Sequence, residues 1–341
     1  MNSTETQPVP PEIKLGLIGM GMADDGVDVR GFPLSGGVSS DIWRVDLATG
    51  PVCVKRALEQ LRVESTWLAP TARTANEAAW LRAVAQVAPG AACRVLVFDS
   101  KTRVLALEWL DPSLFRNWKA DLSSGYVDPM IATKVGQQLG DIHAAMADPT
   151  KFAEVFDADD MFRALRIEPY FETTARAHPD LADTILDLAN RTTSVRIGVV
   201  HGDVSPKNIL IGPEGPVFVD AECASWGDPA FDLAFCINHL LLKSQWHQRD
   251  SADLRRSISA LSDAYLARVN WEQASELEFR VATLIPTLAL ARINGASPVE
   301  YLCEDDRQSV RNLARAMLID QPVTIAEVVD RWHEASDSRN R

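Results

Sequence analysis

Residues 199–222 hold three short apolar runs, with the polar residues confined to the intervals between them. Val199-Val200 leads into His201-Gly202-Asp203-Val204-Ser205-Pro206-Lys207-Asn208. Ile209-Leu210-Ile211 follows, and Val217-Phe218-Val219 precedes Asp220-Ala221-Glu222. Runs this short, bounded by turn residues, read as buried strands that present the polar side chains from their loops. An acid, Asp203, and an amide, Asn208, share one loop, and a second acid, Asp220, ends the strand that should return beside it. Asp, Asn and Gly are ordinary turn residues, and any one of them could serve only a turn. The ordered set of Asp203, Asn208 and Asp220 points instead to chemistry.

The spacing matches the protein-kinase catalytic loop, where an Asp accepts the substrate hydroxyl proton and an Asn five positions on holds Mg²⁺. His201-Gly202-Asp203 stands where protein kinases carry His-Arg-Asp, and Asp220-Ala221-Glu222 where they carry Asp-Phe-Gly. With those replacements, and with Trp226-Gly227-Asp228-Pro229-Ala230-Phe231-Asp232-Leu233-Ala234 following, the region resembles the aminoglycoside phosphotransferase and choline kinase superfamily. Those are kinase-fold enzymes that phosphorylate small molecules. The resemblance implies Asp203 as the catalytic residue, with Asn208, Asp220 and Glu222 at the metal. Read from the residues alone, Glu222 stays open between a metal ligand, a substrate contact and a solvated loop carboxylate. His201 is expected to hold the loop through its imidazole. Asp232 opens an apolar helix and suits a cap; the corresponding family residue braces the catalytic-loop backbone.

The donor half of such a site should lie upstream. Residues 35–40 are small, and the backbone N–H groups around Ser35, Gly36 and Gly37 suit a phosphate loop. A strand follows that carries Lys55, which in the kinase fold contacts the α- and β-phosphates. A helix expected over 71–87 carries Glu77, either as the partner of Lys55 or, with Thr74, as a capping box on its own helix. From Lys55 through Trp67 and Arg73 to Glu77 the chain is similar to 5-methylthioribose kinase, a match too modest to fix a substrate. Strands expected at 94–98 and 104–107 lead to a hinge at 108–112, where backbone groups of Glu108 and Leu110 would face adenine. Lys207 either neutralises the transferring phosphoryl group or is solvated.

Residues 13–22 imitate a dinucleotide-binding fingerprint, but the third glycine and the following helical pattern are missing, so that reading is rejected. Helices are expected over 131–147, 230–243, 252–269, 274–290 and 307–318, with Pro286 able to kink the fourth. Segment 152–171 reads as a mainly helical insertion in which 166–171 approaches substrate, and Arg292 as a surface residue or an anion contact.

The expected fold is α+β and two-lobed, kinase-like: a tail at 1–12, an ATP-binding lobe at 13–107, the hinge at 108–112 and a catalytic and substrate-binding lobe at 113–338. A net charge of −13 argues against a nucleic-acid partner and would suit a cationic substrate. The five scattered cysteines include no Cys-x-x-Cys pair, which fits a reducing cytoplasm. No apolar run approaches a membrane span, and no protein partner is evident. ATP and Mg²⁺ are the expected cofactors, and a small-molecule hydroxyl the expected acceptor. An aminoglycoside kinase and a nucleotide-binding pseudokinase regulator are the alternatives.

Overall fold

The structure is a computed structural model and describes residues 6–34, 40–58 and 72–337. The predicted phosphate loop of Ser35, Gly36 and Gly37 lies outside the described residues, as does Trp67.

Among the described residues eight short and medium strands precede the catalytic loop, and the first six of them build one antiparallel sheet. These are β1 (Gln7–Pro8), β2 (Arg30–Pro33), β3 (Ser40–Leu47), β4 (Gly50–Ala57), β5 (Val95–Asp99) and β6 (Val104–Glu108), in the order β1-β2-β3-β4-β6-β5. Side chains of a strand alternate between faces, and β4 uses both. Val52 and Val54 join Val45, Val104 and Trp43 on one apolar face. Cys53 packs on the opposite side, against the core that contains the Arg73–Val87 helix. Lys55 follows Cys53 in period and is therefore buried toward that helix.

The N-terminal segment departs from the expected tail at 1–12. Gln7 and Pro8 pair with Gly31 and Arg30, and a helix spans Pro11–Gly19. Proline is favoured in the first helical turn. Ile13 and Leu17, four residues apart, then share one face, and both are fully buried under the sheet with Val9. The same helix occupies most of the stretch that imitates a dinucleotide fingerprint, so Gly16 and Gly19 lie inside a helix and not in a strand-to-helix turn.

Beyond the hinge the chain is mainly helical. The Pro129–Ala145 helix packs along Ser251–Leu266, and Ala230–Trp246 packs against Ala274–Asn294. The latter helix runs on through Pro286. The last described helix, Ile325–Asp337, has no counterpart among the expected elements; its Trp332 is fully buried. The remaining strands are short: β7 (Arg116–Asn117), β8 (Gly198–Val200), β9 (Ile209–Ile211), β10 (Pro216–Phe218) and β11 (Ser225–Gly227). β9 pairs with both β10 and β7, and β8 pairs with β11. Phe218 N–H donates to Ala91 O at 2.8 Å, which joins β10 to the chain leaving the Arg73–Val87 helix. Among the described residues no helix is long and apolar enough to cross a membrane.

Candidate active site

Lys55 is the meeting point of the two lobes. Its Nζ lies 2.8 Å from both carboxylate oxygens of Glu77, 2.5 Å from Asp220 Oδ1 and 3.8 Å from Glu222 Oε1. The Glu77 question is answered by geometry: residue Ala72 caps the helix without any side-chain hydrogen bond, and Glu77 reaches outward to Lys55. Burial alone would pull the Lys55 ammonium down. Asp220, Glu77 and Glu222 more than offset it, and its pKa stands well above the ordinary lysine value. Asp220 shows the converse. Burial opposes its charge, but Lys55 and Lys207 hold it well below the usual carboxylate range.

Carboxylate oxygens of Glu77, Asp220 and Glu222 lie within 4.8 Å of one another. The Lys55 ammonium already serves as the cation of that group. Glu222 is not a solvated loop carboxylate. It is 5% exposed, accepts from Ser40 Oγ at 2.6 Å and faces Arg73 Nε at 3.3 Å. Arg73, fully buried, also donates to Leu58 O, and Asn76 Nδ2 donates to Glu222 O and Ala224 O at 3.1 and 2.5 Å. The Ser40 end of the glycine-rich segment is thereby tied to the chain after Asp220.

The catalytic loop is braced from beneath. Asp232 accepts from the N–H groups of His201 and Gly202 at 2.6 and 2.8 Å, and faces His143 Nε2 at 3.2 Å. It therefore holds the loop, while Asp228 accepts from Ala230 N at the start of the helix. His201 Nδ1 accepts from Asp203 N–H at 3.2 Å, so its Nε2–H donates to Val219 O at 3.1 Å. One neutral imidazole thus spans the Asp203 loop and the strand leading to Asp220; burial lowers its pKa. Gly202 adopts φ +75°, and a Cβ there would lie 2.6 Å from Cys223 O. Asp220 has φ +68°, a conformation that non-glycine residues adopt at a cost and that clusters at functional sites.

Asp203 is 7% exposed and sits between two cations, with Arg166 Nη2 and Lys207 Nζ each 3.1 Å from its Oδ2. Burial works against the carboxylate, but Lys207 and Arg166 win and its pKa falls below the ordinary Asp value. Lys207 is half exposed, and Asp203 raises its pKa. Asn208 Nδ2 donates to Asp203 O at 3.1 Å, and its own carbonyl accepts from Val219 N at 3.0 Å. The loop therefore brings Asp203 and Asn208 beside the strand that delivers Asp220. At the hinge, Glu108 N–H donates to Arg94 O at 3.0 Å, and its carbonyl accepts from Cys93 Sγ at 3.6 Å. Glu108 O keeps a second lone pair, and Leu110 lies just beyond the strand.

The sequence places Arg166 only within a segment near substrate, yet it touches the central acid. It rides on a π-helical stretch, Arg163–Glu172, that contains Pro169. Such wide turns recur at functional sites. Arg166 Nε donates to Gly202 O and Nη1 to Leu165 O, and its guanidinium lies 5.6 Å from the Phe235 ring centroid. No local spacing links it to Asp203, 37 residues on. Nor does local spacing link Asn117, whose Nδ2 donates to Lys207 O at 2.7 Å, to the catalytic loop.

A small sheet lobe whose strand lysine meets a helix glutamate, above a helical lobe with an Asp–Asn loop and a second Asp, defines a kinase-like phosphotransferase. The family profile described as phosphotransferase enzyme family (APH) matches residues 32–277, and the chain belongs to that family. No curated protein sequence matches it. Among solved structures it is similar to a choline/ethanolamine kinase family protein from Mesorhizobium loti, at 16% identity and a TM-score of 0.53, covering 94% of this chain and 97% of that one. It is also similar to an aminoglycoside phosphotransferase from Alicyclobacillus acidocaldarius, at 15% identity and 0.52, covering 98% and 99%. An amicoumacin kinase in complex with AMP-PNP and Ca²⁺ aligns at 12% identity and 0.52, over 86% and 90%. The fold is shared with these proteins, and the chain is a small-molecule phosphotransferase.

Proposed function

We propose that this protein transfers the γ-phosphoryl group of ATP to a hydroxyl of a small molecule, with Asp203 as the catalytic residue. The observation that carries the reading is the placement of Asp203 and Asn208 on one braced loop beside Asp220, with Lys55 bridging Asp220 and Glu77. The donor set fits the cofactor. Lys55 is a buried cation whose position is fixed from two sides, and Asp220 and Asn208 offer the hard oxygen ligands that Mg²⁺ prefers. Bound Mg·ATP would supply the phosphoryl group and the counter-charge that phosphoryl transfer requires.

Lys55, held by Glu77, would bind phosphate oxygens, and Asn208 and Asp220 would hold the metal. The N–H groups of Ser35, Gly36 and Gly37 are proposed phosphate donors, with Glu108 O and Leu110 N at adenine. Glu222 is engaged by Ser40 and Arg73, so its part is to fix the end of the phosphate loop against the large lobe. Asp203, ionised and flanked by Arg166 and Lys207, orients the acceptor hydroxyl and receives its proton as the bond forms. Its low pKa makes it a weak base, which suits a reaction that depends mainly on placement and electrostatics. Lys207, half exposed beside Asp203, is placed to neutralise the group in transfer. Because Lys55, Asp203, Asn208 and Asp220 are all present, a nucleotide-binding pseudokinase regulator is the weaker reading.

The test is phosphoryl transfer from labelled ATP with Mg²⁺ into a pooled panel of sugars, amino alcohols, hydroxy acids, nucleoside derivatives and aminoglycosides, read by mass spectrometry. One labelled product is expected, with Asp203→Asn about 10²- to 10⁴-fold slower, as for loss of a general base. Mg·ATP binding should survive in that variant. A wild-type protein that binds no Mg·ATP would sink the kinase and the nucleotide sensor together.

A further inference from the structure

On a helix, residues three and four apart share a face. In the Arg73–Val87 helix this puts Arg73, Asn76, Glu77 and Trp80 on one stripe, and each reaches a different part of the site. Glu77 grips Lys55, Arg73 faces the Glu222 carboxylate, and Trp80 stands edge-on to the His201 ring at 4.8 Å. Asn76 reaches backbone. Its Nδ2 donates to Glu222 O at 3.1 Å and to Ala224 O at 2.5 Å, across 146 and 148 residues of chain.

A side-chain amide nitrogen carries two hydrogens, and here each has its own carbonyl. Both carbonyls belong to the turn that follows Asp220, which Ala224 N–H closes on Ala221 O at 3.2 Å. Asp220 itself holds φ +68°, a conformation that persists only where the surroundings over-determine it. On its N-terminal side the large lobe fixes the chain. Val219 N–H donates to Asn208 O at 3.0 Å, and His201 Nε2–H to Val219 O at 3.1 Å. On its C-terminal side Asn76 fixes it from the small lobe. Glu77, the next residue, holds Lys55, whose Nζ meets the Asp220 carboxylate at 2.5 Å. Adjacent residues of one helix therefore secure the Asp220 backbone and the side-chain partner of Asp220.

We infer that Asn76 is a positioning residue for Asp220: its two hydrogen bonds set the backbone of the proposed metal ligand against the Lys55–Glu77 pair, so that the metal and phosphate ends of the donor site are held as one unit. The inference rests on the kinase reading and adds a residue that acts through two backbone carbonyls. Ser40 and Arg73 hold the Glu222 carboxylate separately. Leucine at 76 offers neither hydrogen, aspartate turns a carboxylate toward two carbonyl oxygens, and glutamine keeps both hydrogens one methylene farther out.

Asn76→Leu, Asn76→Asp and Asn76→Gln proteins test it beside wild type and Val328→Ala. Val328 is fully buried in the Ile325–Asp337 helix, which packs on Ala274–Asn294, so this cavity variant controls for lost stability alone. In the nucleotide-free protein, hydrogen exchange of a peptide spanning 220–224 should quicken about tenfold in Asn76→Leu and Asn76→Asp. Calorimetric titration with ATP should show metal-free binding within about twofold of wild type, while the tightening that Mg²⁺ brings shrinks about tenfold. Asn76→Gln should recover part of both effects, and Val328→Ala should show neither. Unchanged exchange in Asn76→Leu, an undiminished Mg²⁺ effect, or equal weakening of metal-free and Mg·ATP would overturn the inference. Wild-type protein that binds no ATP would instead remove the kinase reading, and the exchange comparison would still decide whether Asn76 holds the turn.

Discussion

Arg166 Nη2 lies 3.1 Å from Asp203 Oδ2, and the same guanidinium donates through Nε to the carbonyl of Gly202. One buried side chain thus fixes both the charge and the backbone of the catalytic loop. Removing one partner of a buried ion pair typically costs about 3–5 kcal/mol. Arg166→Met should destabilise the protein by that order and raise the Asp203 pKa. If the protein remains folded, kcat should fall about 10- to 100-fold, and the acid limb of the kcat profile should move to higher pH. Arg166→Lys should restore part of the profile but not the contact with Gly202 O. An unchanged acid limb would remove Arg166 from a positioning role.

Lys55 is surrounded by Glu77, Asp220 and Glu222, whose carboxylate oxygens all lie within 4.8 Å of one another. Lys55→Met leaves those acids mutually repelling, with Arg73 as the nearest remaining counter-charge at Glu222. The variant should lose about 3–5 kcal/mol of stability. It should also become strongly dependent on divalent cations for it. Thermal unfolding with and without Mg²⁺ or Ca²⁺, in the absence of nucleotide, should show a larger rise in Tm for the variant than for wild type. Equal rises would mean the three carboxylates do not act together.

Gly202 carries φ +75°, and an added methyl would meet Cys223 O at 2.6 Å. Gly202→Ala combines a left-handed backbone penalty of roughly 1–2 kcal/mol with a clash against backbone. Because Asp203 follows directly, activity should fall more than stability alone explains. Comparing kcat for the folded fraction with the denaturation midpoint separates the two effects.

His201 is buried and neutral, joining Asp203 N to Val219 O, with the Trp80 ring edge-on at 4.8 Å. Burial lowers its pKa in the folded state below the unfolded value of about 6.5. As pH drops below about 6.5 the unfolded chain takes up a proton that the native state refuses. Stability is therefore level above that pH and declines beneath it, by up to about 1.4 kcal/mol per unit for this one group. Denaturant unfolding at pH 7.5, 6.5 and 5.5 should show the decline, and His201→Gln should reduce its slope by one proton. His239, lowered in the same direction, accounts for part of the remaining slope.

The sequence alone determined the catalytic strip. Short apolar runs force strands, the turn residues between them force loops, and so Asp203, Asn208 and Asp220 are fixed in order and spacing by local rules. The helix carrying Glu77 and the strand carrying Lys55 were legible for the same reason, each from its own period. What local rules leave open is which distant groups meet. The pairing of Glu77 with Lys55 rather than with its own helix end, the Arg166 contact with Asp203 and the burial of Glu222 against Ser40 and Arg73 all depend on long-range packing. The N-terminal segment shows the same limit: taken alone, residues 1–12 are polar and proline-containing, and only the sheet face supplies the partner that folds 7–19. Charge behaves likewise. The chain total of −13 is a sum over the whole sequence, whereas the field at Asp203 is set by Arg166 and Lys207, which the fold brings beside it. That distribution is set by tertiary structure, because Coulomb energies depend on separations in space and not along the chain.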